Sequence, residues 1–172
     1  NAAMNTCASS EWQKALEILQ MMQQVKIDPN TDTCGAAMEA YRTAHLWQSA
    51  LFIFKSIPTL QMLPGLRSYN NVLNALHDVE YGEEIWCEAV QSGVYPELLC
   101  RGANVLDLHH LSRGAAQLAV RWWIGQVVPE LLQSAPAPFY IIITGYLKGS
   151  KGDPVIRKVV SDLLDRLGVR FR

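Results

Sequence analysis

Trp12-Gln13-Lys14-Ala15-Leu16 is answered further along by Trp47-Gln48-Ser49-Ala50-Leu51, and Pro29 by Pro64, each at an offset of 35 residues. A fixed period of that size predicts stacked helix–turn–helix units, because one such unit cannot bury its apolar face alone. Working outward, residues 1–8 read as the end of one helix. Residues 11–24 read as a second, with Ser9-Ser10 as its cap and Leu16 and Leu19 at helical spacing. Asp28-Pro29-Asn30 closes that unit, since proline cannot continue a helix. In the next unit Thr31 or Thr33 caps a helix running to Thr43, and residues 46–57 form its partner, stopped by Pro58 and Pro64. A third, shortened unit spans residues 66–97, where Gly82, Trp86 and Pro96 stand 32 residues after Ala50, Phe54 and Pro64. Three repeats are therefore expected, at 1–30, 31–65 and 66–97. Ala15 and Ala50 fall mid-helix, where a small side chain lets paired helices approach. Trp12 and Trp47 read as packing residues rather than base-stacking rings. His45 and His77, at helix ends, read as solvated or capping.

After Cys100 the pattern changes. Residues 98–103 read as a linker, and 105–109 as a short buried strand. Residues 112–132 form a long amphipathic helix capped by Ser112, and 139–144 a second strand rich in isoleucine. Residues 153–167 give another helix with Asp153-Pro154 in its first turn, Gly168 breaks it, and Val169-Arg170-Phe171 begins a third strand. Strands alternating with helices predict a parallel sheet with right-handed crossovers. The expected fold class is thus an α-helical repeat solenoid followed by a small α/β domain with a mostly parallel sheet.

Composition sets the bounds. The chain has 172 residues, 49% hydrophobic and 18% charged, which is the profile of a core-forming protein with room for two small domains. A net charge of −1 hides an asymmetry. Residues 1–100 carry five Lys/Arg against eleven Asp/Glu, whereas 101–172 carry ten against five. A polyanion should therefore prefer the C-terminal part. Cys7, Cys34, Cys87 and Cys100 show no Cys-x-x-Cys or zinc-like spacing and read as buried, reduced thiols of a reducing compartment. No apolar run approaches the ~18 residues of a membrane span. Asn1 falls inside a repeat and is not a Met, so a fragment or processed form is expected, and a missing targeting peptide carries no information. No Gly-x-Gly-x-x-Gly or Cys-x-x-Cys-His signature points to a nucleotide, flavin or haem.

Two resemblances follow from these residues. Residues 1–97 resemble pentatricopeptide repeats in their 35-residue period, in Tyr69-Asn70 opening a first helix, in Ala50-Leu51 and Phe54 within a second, and in a proline near each repeat's end. Residues 104–172 resemble the Small MutS-Related domain. The marks are Leu106-Asp107-Leu108-His109, Leu111-Ser112-Arg113-Gly114-Ala115-Ala116 and Thr144-Gly145-Tyr146-Leu147-Lys148-Gly149-Ser150-Lys151. Leu147 stands where that loop commonly carries a second glycine.

The repeat likeness implies a code of one base per repeat, read by a residue early in the first helix and another at the repeat's end. Carried onto this chain, the pairs are Asn1 with Asn30, Gly35 with Gly65, and Asn70 with Glu97. The second likeness implies nucleic-acid binding and, in some members, endonuclease activity. Asp107 and His109 are then the catalytic candidates, alternating on one face of a strand, with His109 suited to acid–base work near neutral pH. Thr144, Gly145, Lys148, Ser150 and Lys151 are candidates to hold a backbone phosphate. No cofactor is expected, and a divalent metal such as Mg²⁺ enters only with the nuclease reading. The ensemble is similar to organellar RNA-binding factors of chloroplast or mitochondrion, with binding favoured over cleavage. The competing expectation is a non-catalytic scaffold subunit of a large organellar complex (a ribosome, a photosynthetic or a respiratory assembly). There the helical repeats would contact protein, and Trp122 and Trp123 would serve as exposed anchors.

Overall fold

A computed structural model describes residues 21, 30–134, 137–144 and 155–170. The chain is mostly helical with one two-stranded parallel sheet, and it divides into two compact units, Asn1–Tyr81 and Gly82–Arg172. The division falls inside the third expected repeat rather than in the 98–103 segment.

The described part of the first unit holds α1 (Thr31–Thr43), α2 (Trp47–Ser56), a 3-10 turn (Pro58–Leu60) and α3 (Leu66–Leu76). The cap of α1 is Asn30, not either threonine: its Oδ1 accepts from the Thr33 N–H at 2.9 Å and from the Thr33 hydroxyl at 3.0 Å. Asp32 in the first turn and Arg42 in the last complement the helix dipole. The helix ends on His45 in the left-handed region (φ 58), with Leu46 N–H bonded to Tyr41 O and His45 N–H to Arg42 O. That is the paired closure in which glycine is usual, so His45 is indeed a helix-end residue. α1 packs against both α2 and α3, and α2 against α3. Close approach is possible because α1 buries Cys34, Gly35, Ala36, Ala37 and Ala40. A Cβ on Gly35 would come within 2.8 Å of Asn71 Nδ2 on α3. Met38, Ile57, Val72, Leu73 and Leu76 fill the core, and Phe54 meets Tyr69 edge-on at 4.9 Å. Asp32 and Arg67, 35 positions apart, form an exposed ion pair at 2.6 Å, worth at most about 1 kcal/mol.

The second unit contains nearly all of α4 (Tyr81–Gln91), then β1 (Val105–Asp107), α5 (Arg113–Trp122), a π turn (Trp123–Val127), α6 (Val128–Ser134), β2 (Ile141–Ile143) and α7 (Val155–Arg166). α4 belongs here because Trp86 stacks on Tyr95 at 5.3 Å and meets Trp122 edge-on at 6.1 Å. β1 and β2 pair in parallel, Val105 opposite Ile141 and Asp107 opposite Ile143. The strands are shorter than the sequence predicts, and α7 packs on α5 through Val159, Val160, Leu163 and Leu164. Ser112 caps α5 as expected, accepting from Ala115 N–H at 3.3 Å.

The expected helix over 112–132 runs without a break from Arg113 to Ser134, and the π turn within it has a consequence for its two tryptophans. Neighbours on a regular α-helix point about 100° apart, so both cannot face one core. Trp122 and Trp123 instead serve two partners. Trp123 is buried, donates Nε1–H to Ala103 O at 2.8 Å and meets Tyr140 edge-on, while half-buried Trp122 meets Trp86. Trp123 is thus not the exposed anchor expected under the scaffold reading, and Trp122 is only half-exposed. Gly125 lies within the turn, and a Cβ there would meet nothing within 4 Å. Gly125→Ala is therefore expected to raise stability by about 0.5–1 kcal/mol, read as a higher thermal midpoint.

At the far end, Gly168 (φ 69) closes α7, with its N–H on Asp165 O and Val169 N–H on Leu164 O. Val169 is thus consumed in capping a helix. The third strand expected from Val169 does not begin there, and Phe171 lies outside the described residues. Among the cysteines, Cys34 is buried and burial pushes its thiol up. Cys87 is half-buried and Cys100 exposed, so the expectation of uniformly buried thiols fails for those two.

Candidate nucleic-acid site

The site forms at the carboxyl end of β1, where parallel sheets place their ligands. On the outer edge of β1, Val105 N–H bonds Gly102 O and Asp107 N–H bonds Leu98 O, so residues 98–104 wrap the strand instead of linking domains loosely. On the inner edge the ladder runs one step past the strand, with Leu108 N–H on Ile143 O at 2.9 Å. Thr144 therefore stands at the same end of the sheet as Asp107, one residue beyond its strand partner.

Asp107 is 3% exposed, and each carboxylate oxygen faces a partner. Oδ1 accepts the His109 backbone N–H at 3.0 Å and meets His109 Nδ1 at 2.5 Å. Oδ2 faces Arg101 Nε at 3.6 Å. A buried carboxylate held in this way both caps a turn and fixes the imidazole. An imidazole that donates Nδ1–H to this carboxylate keeps Nε2 as its basic nitrogen. The pair meets by a route different from the predicted one. β1 stops at Asp107, and His109 returns to it through a turn that His110 sharpens at φ 65. Asx-turn chemistry, not strand alternation, brings the two together.

The remaining candidates divide. Asn30 places its side-chain oxygen on the cap of α1. Asn70 lies in α3, half-buried and partnered, whereas Glu97 belongs to the other unit. Gly35 sits against Asn71, and Gly65 caps α3 without a side chain to do so. Asn1, Gly145, Lys148, Ser150 and Lys151 lie outside the described residues. Arg101 was not among the sequence candidates. It stands six positions before Asp107 in a segment that reads as linker, and no spacing rule joins the two.

Chemically, the arrangement offers a histidine oriented to exchange a proton and a guanidinium suited to a phosphate. Among the described residues no group of three or more His, Cys, Asp or Glu side chains is placed to hold a metal ion. Among them, too, no helix is long and apolar enough to cross a membrane. Compared with protein-family models the sequence matches none, and no curated protein matches it either.

Proposed function

We propose that this chain is an organellar RNA-binding factor of the pentatricopeptide-repeat and Small MutS-Related type, whose phosphate contacts come mainly from the basic Small MutS-Related-like region, residues 104–172. The observation that carries the reading is the buried Asp107 holding His109 beside Arg101 at the carboxyl end of a parallel strand pair. The excess of basic over acidic residues after position 100 supports it. The helical unit supports the repeat half of the proposal through its packing, in which α3 rests on both helices of the preceding pair. Binding is proposed as the main activity, and RNA cleavage by the histidine is not favoured.

The test is a titration of the full chain with single-stranded and structured RNA at several salt concentrations. Phosphate binding gives a log affinity that falls linearly with log salt, by about 0.7 per contacted phosphate on single strands. A salt-independent affinity, or none, removes the reading. The scaffold alternative retains one favourable observation. Phe52 and Leu63 of the first unit are 72% and 89% exposed, which suits an apolar contact with a protein partner. Nuclease treatment during native purification separates the two: release from the complex favours RNA, retention favours protein.

A further inference from the structure

We infer that Arg101 is the residue of this site that contacts an RNA phosphate directly, with Asp107 acting as the anchor that aims its guanidinium. The inference rests on the RNA-binding reading above and names the group that carries it.

Three observations lead there. First, the backbone around Arg101 is fixed. Gly102 N–H bonds Leu99 O at 3.1 Å, Val105 N–H bonds Gly102 O at 3.0 Å, and Trp123 Nε1–H holds Ala103 O at 2.8 Å. Gly102 itself turns the chain at φ 112, a conformation that side chains disfavour. An arginine presented from so restrained a loop loses little backbone freedom on binding. Second, its side chain is oriented but not consumed. Nε faces the buried Oδ2 of Asp107 at 3.6 Å, beyond good hydrogen-bond length, and the side chain is 62% exposed. At that exposure the guanidinium is accessible to a phosphate, which an arginine fork binds bidentately. Third, the anchor cannot follow it outward. Asp107 is 3% exposed, and Oδ1 is held by both the backbone N–H and Nδ1 of His109. A ligand phosphate can therefore meet Arg101 without displacing the pair beneath.

An arginine that merely neutralised Asp107 would be replaceable by lysine and silent in binding. A phosphate contact is neither. The experiment uses the full chain and a single-stranded RNA probe, and reads affinity against salt for wild type, Arg101→Ala, Arg101→Lys and Arg166→Ala. Arg166 is an exposed residue in the last turn of α7 of the same unit and reports the effect of losing a positive charge elsewhere. Arg101→Ala is expected to lower the salt slope by about 0.7, the value of one contact, and to weaken binding several-fold at low salt. Arg101→Lys should restore the slope but not the full affinity, because an ammonium cannot bind in bidentate fashion. Arg166→Ala should leave the slope where it was. Equal slopes for Arg101→Ala and Arg166→Ala overturn the inference while RNA binding stands. A wild-type chain that does not bind RNA overturns both.

Discussion

Alanine at position 86 is expected to cost the second unit about 3–5 kcal/mol, the upper range for truncating a buried aromatic side chain. Trp86 is 1% exposed, stacks on Tyr95 and meets Trp122, so its removal opens a cavity bounded by two rings that cannot close on each other. Phenylalanine should behave quite differently. The indole Nε1 of Trp86 is buried without a hydrogen-bond partner among the described residues, a desolvation cost of about 1–3 kcal/mol. Trp86→Phe gives up stacking area but also relieves that cost, so its net loss should stay below about 2 kcal/mol. Because two units need not unfold together, a single denaturation midpoint is a poor reporter. Hydrogen exchange of the α4 and α5 amides is the appropriate measurement. If Phe proves as damaging as Ala, the orphaned N–H carries no penalty and the argument fails.

The elements legible in the sequence were those with short-range signatures. Ser112 announces α5 because a serine followed by a helical run needs only its own neighbours to act as a cap. The helix ending at Thr43 and the stop at Pro58 were legible for the same reason. Boundaries failed where a longer-range partner decided. Nothing in Val169-Arg170 says that Val169 will be spent on Leu164 O, since the same alternation of apolar and basic residues suits a strand equally well. The assignment of α4 to the second unit depended on Trp86 finding Tyr95 and Trp122, two contacts that periodicity does not encode. The π turn was hidden too: adjacent tryptophans hinted at a register change, but only their separate partners reveal it.

The site shows the same division. Asp107 and His109 were legible as a pair because two residues of spacing bring them together in several conformations. The strand geometry invoked for that meeting was not the geometry found. Asn30 shows a residue type with two readings, since an asparagine suited to a base edge is also a favoured helix cap, and the cap is the role seen at α1. Arg101 was invisible because its meaning depends on where residues 98–104 fold back. The backbone bonds of Asp107 and Val105 decide that, and no sequence motif does.

Substituting Asp107 should separate structure from chemistry at this position. Asp107→Ala removes the acceptor for the His109 N–H and for Nδ1 and leaves Arg101 facing a gap. Charge-assisted hydrogen bonds of this kind contribute about 1.5–3 kcal/mol, so a loss of about 2 kcal/mol in the second unit is expected. Asp107→Asn retains a side-chain oxygen for the turn and should cost about half as much. The imidazole is the more telling reporter. In the wild type, the Asp107 carboxylate facing Nδ1 favours the tautomer with its proton there. Either substitution weakens that preference and lets the proton move to Nε2, a change read directly from ring ¹⁵N shifts. Should the chain cleave RNA, both variants lose about 10²–10⁴-fold in rate, because a basic Nε2 is what the proton transfer requires. Binding depends on Arg101 and the wider basic surface, and Asp107→Asn should change it far less. Ring shifts identical in wild type and Asp107→Asn would show that the carboxylate does not set the tautomer. Equal cleavage by both would take Asp107 out of the reaction and leave it as the cap of a turn.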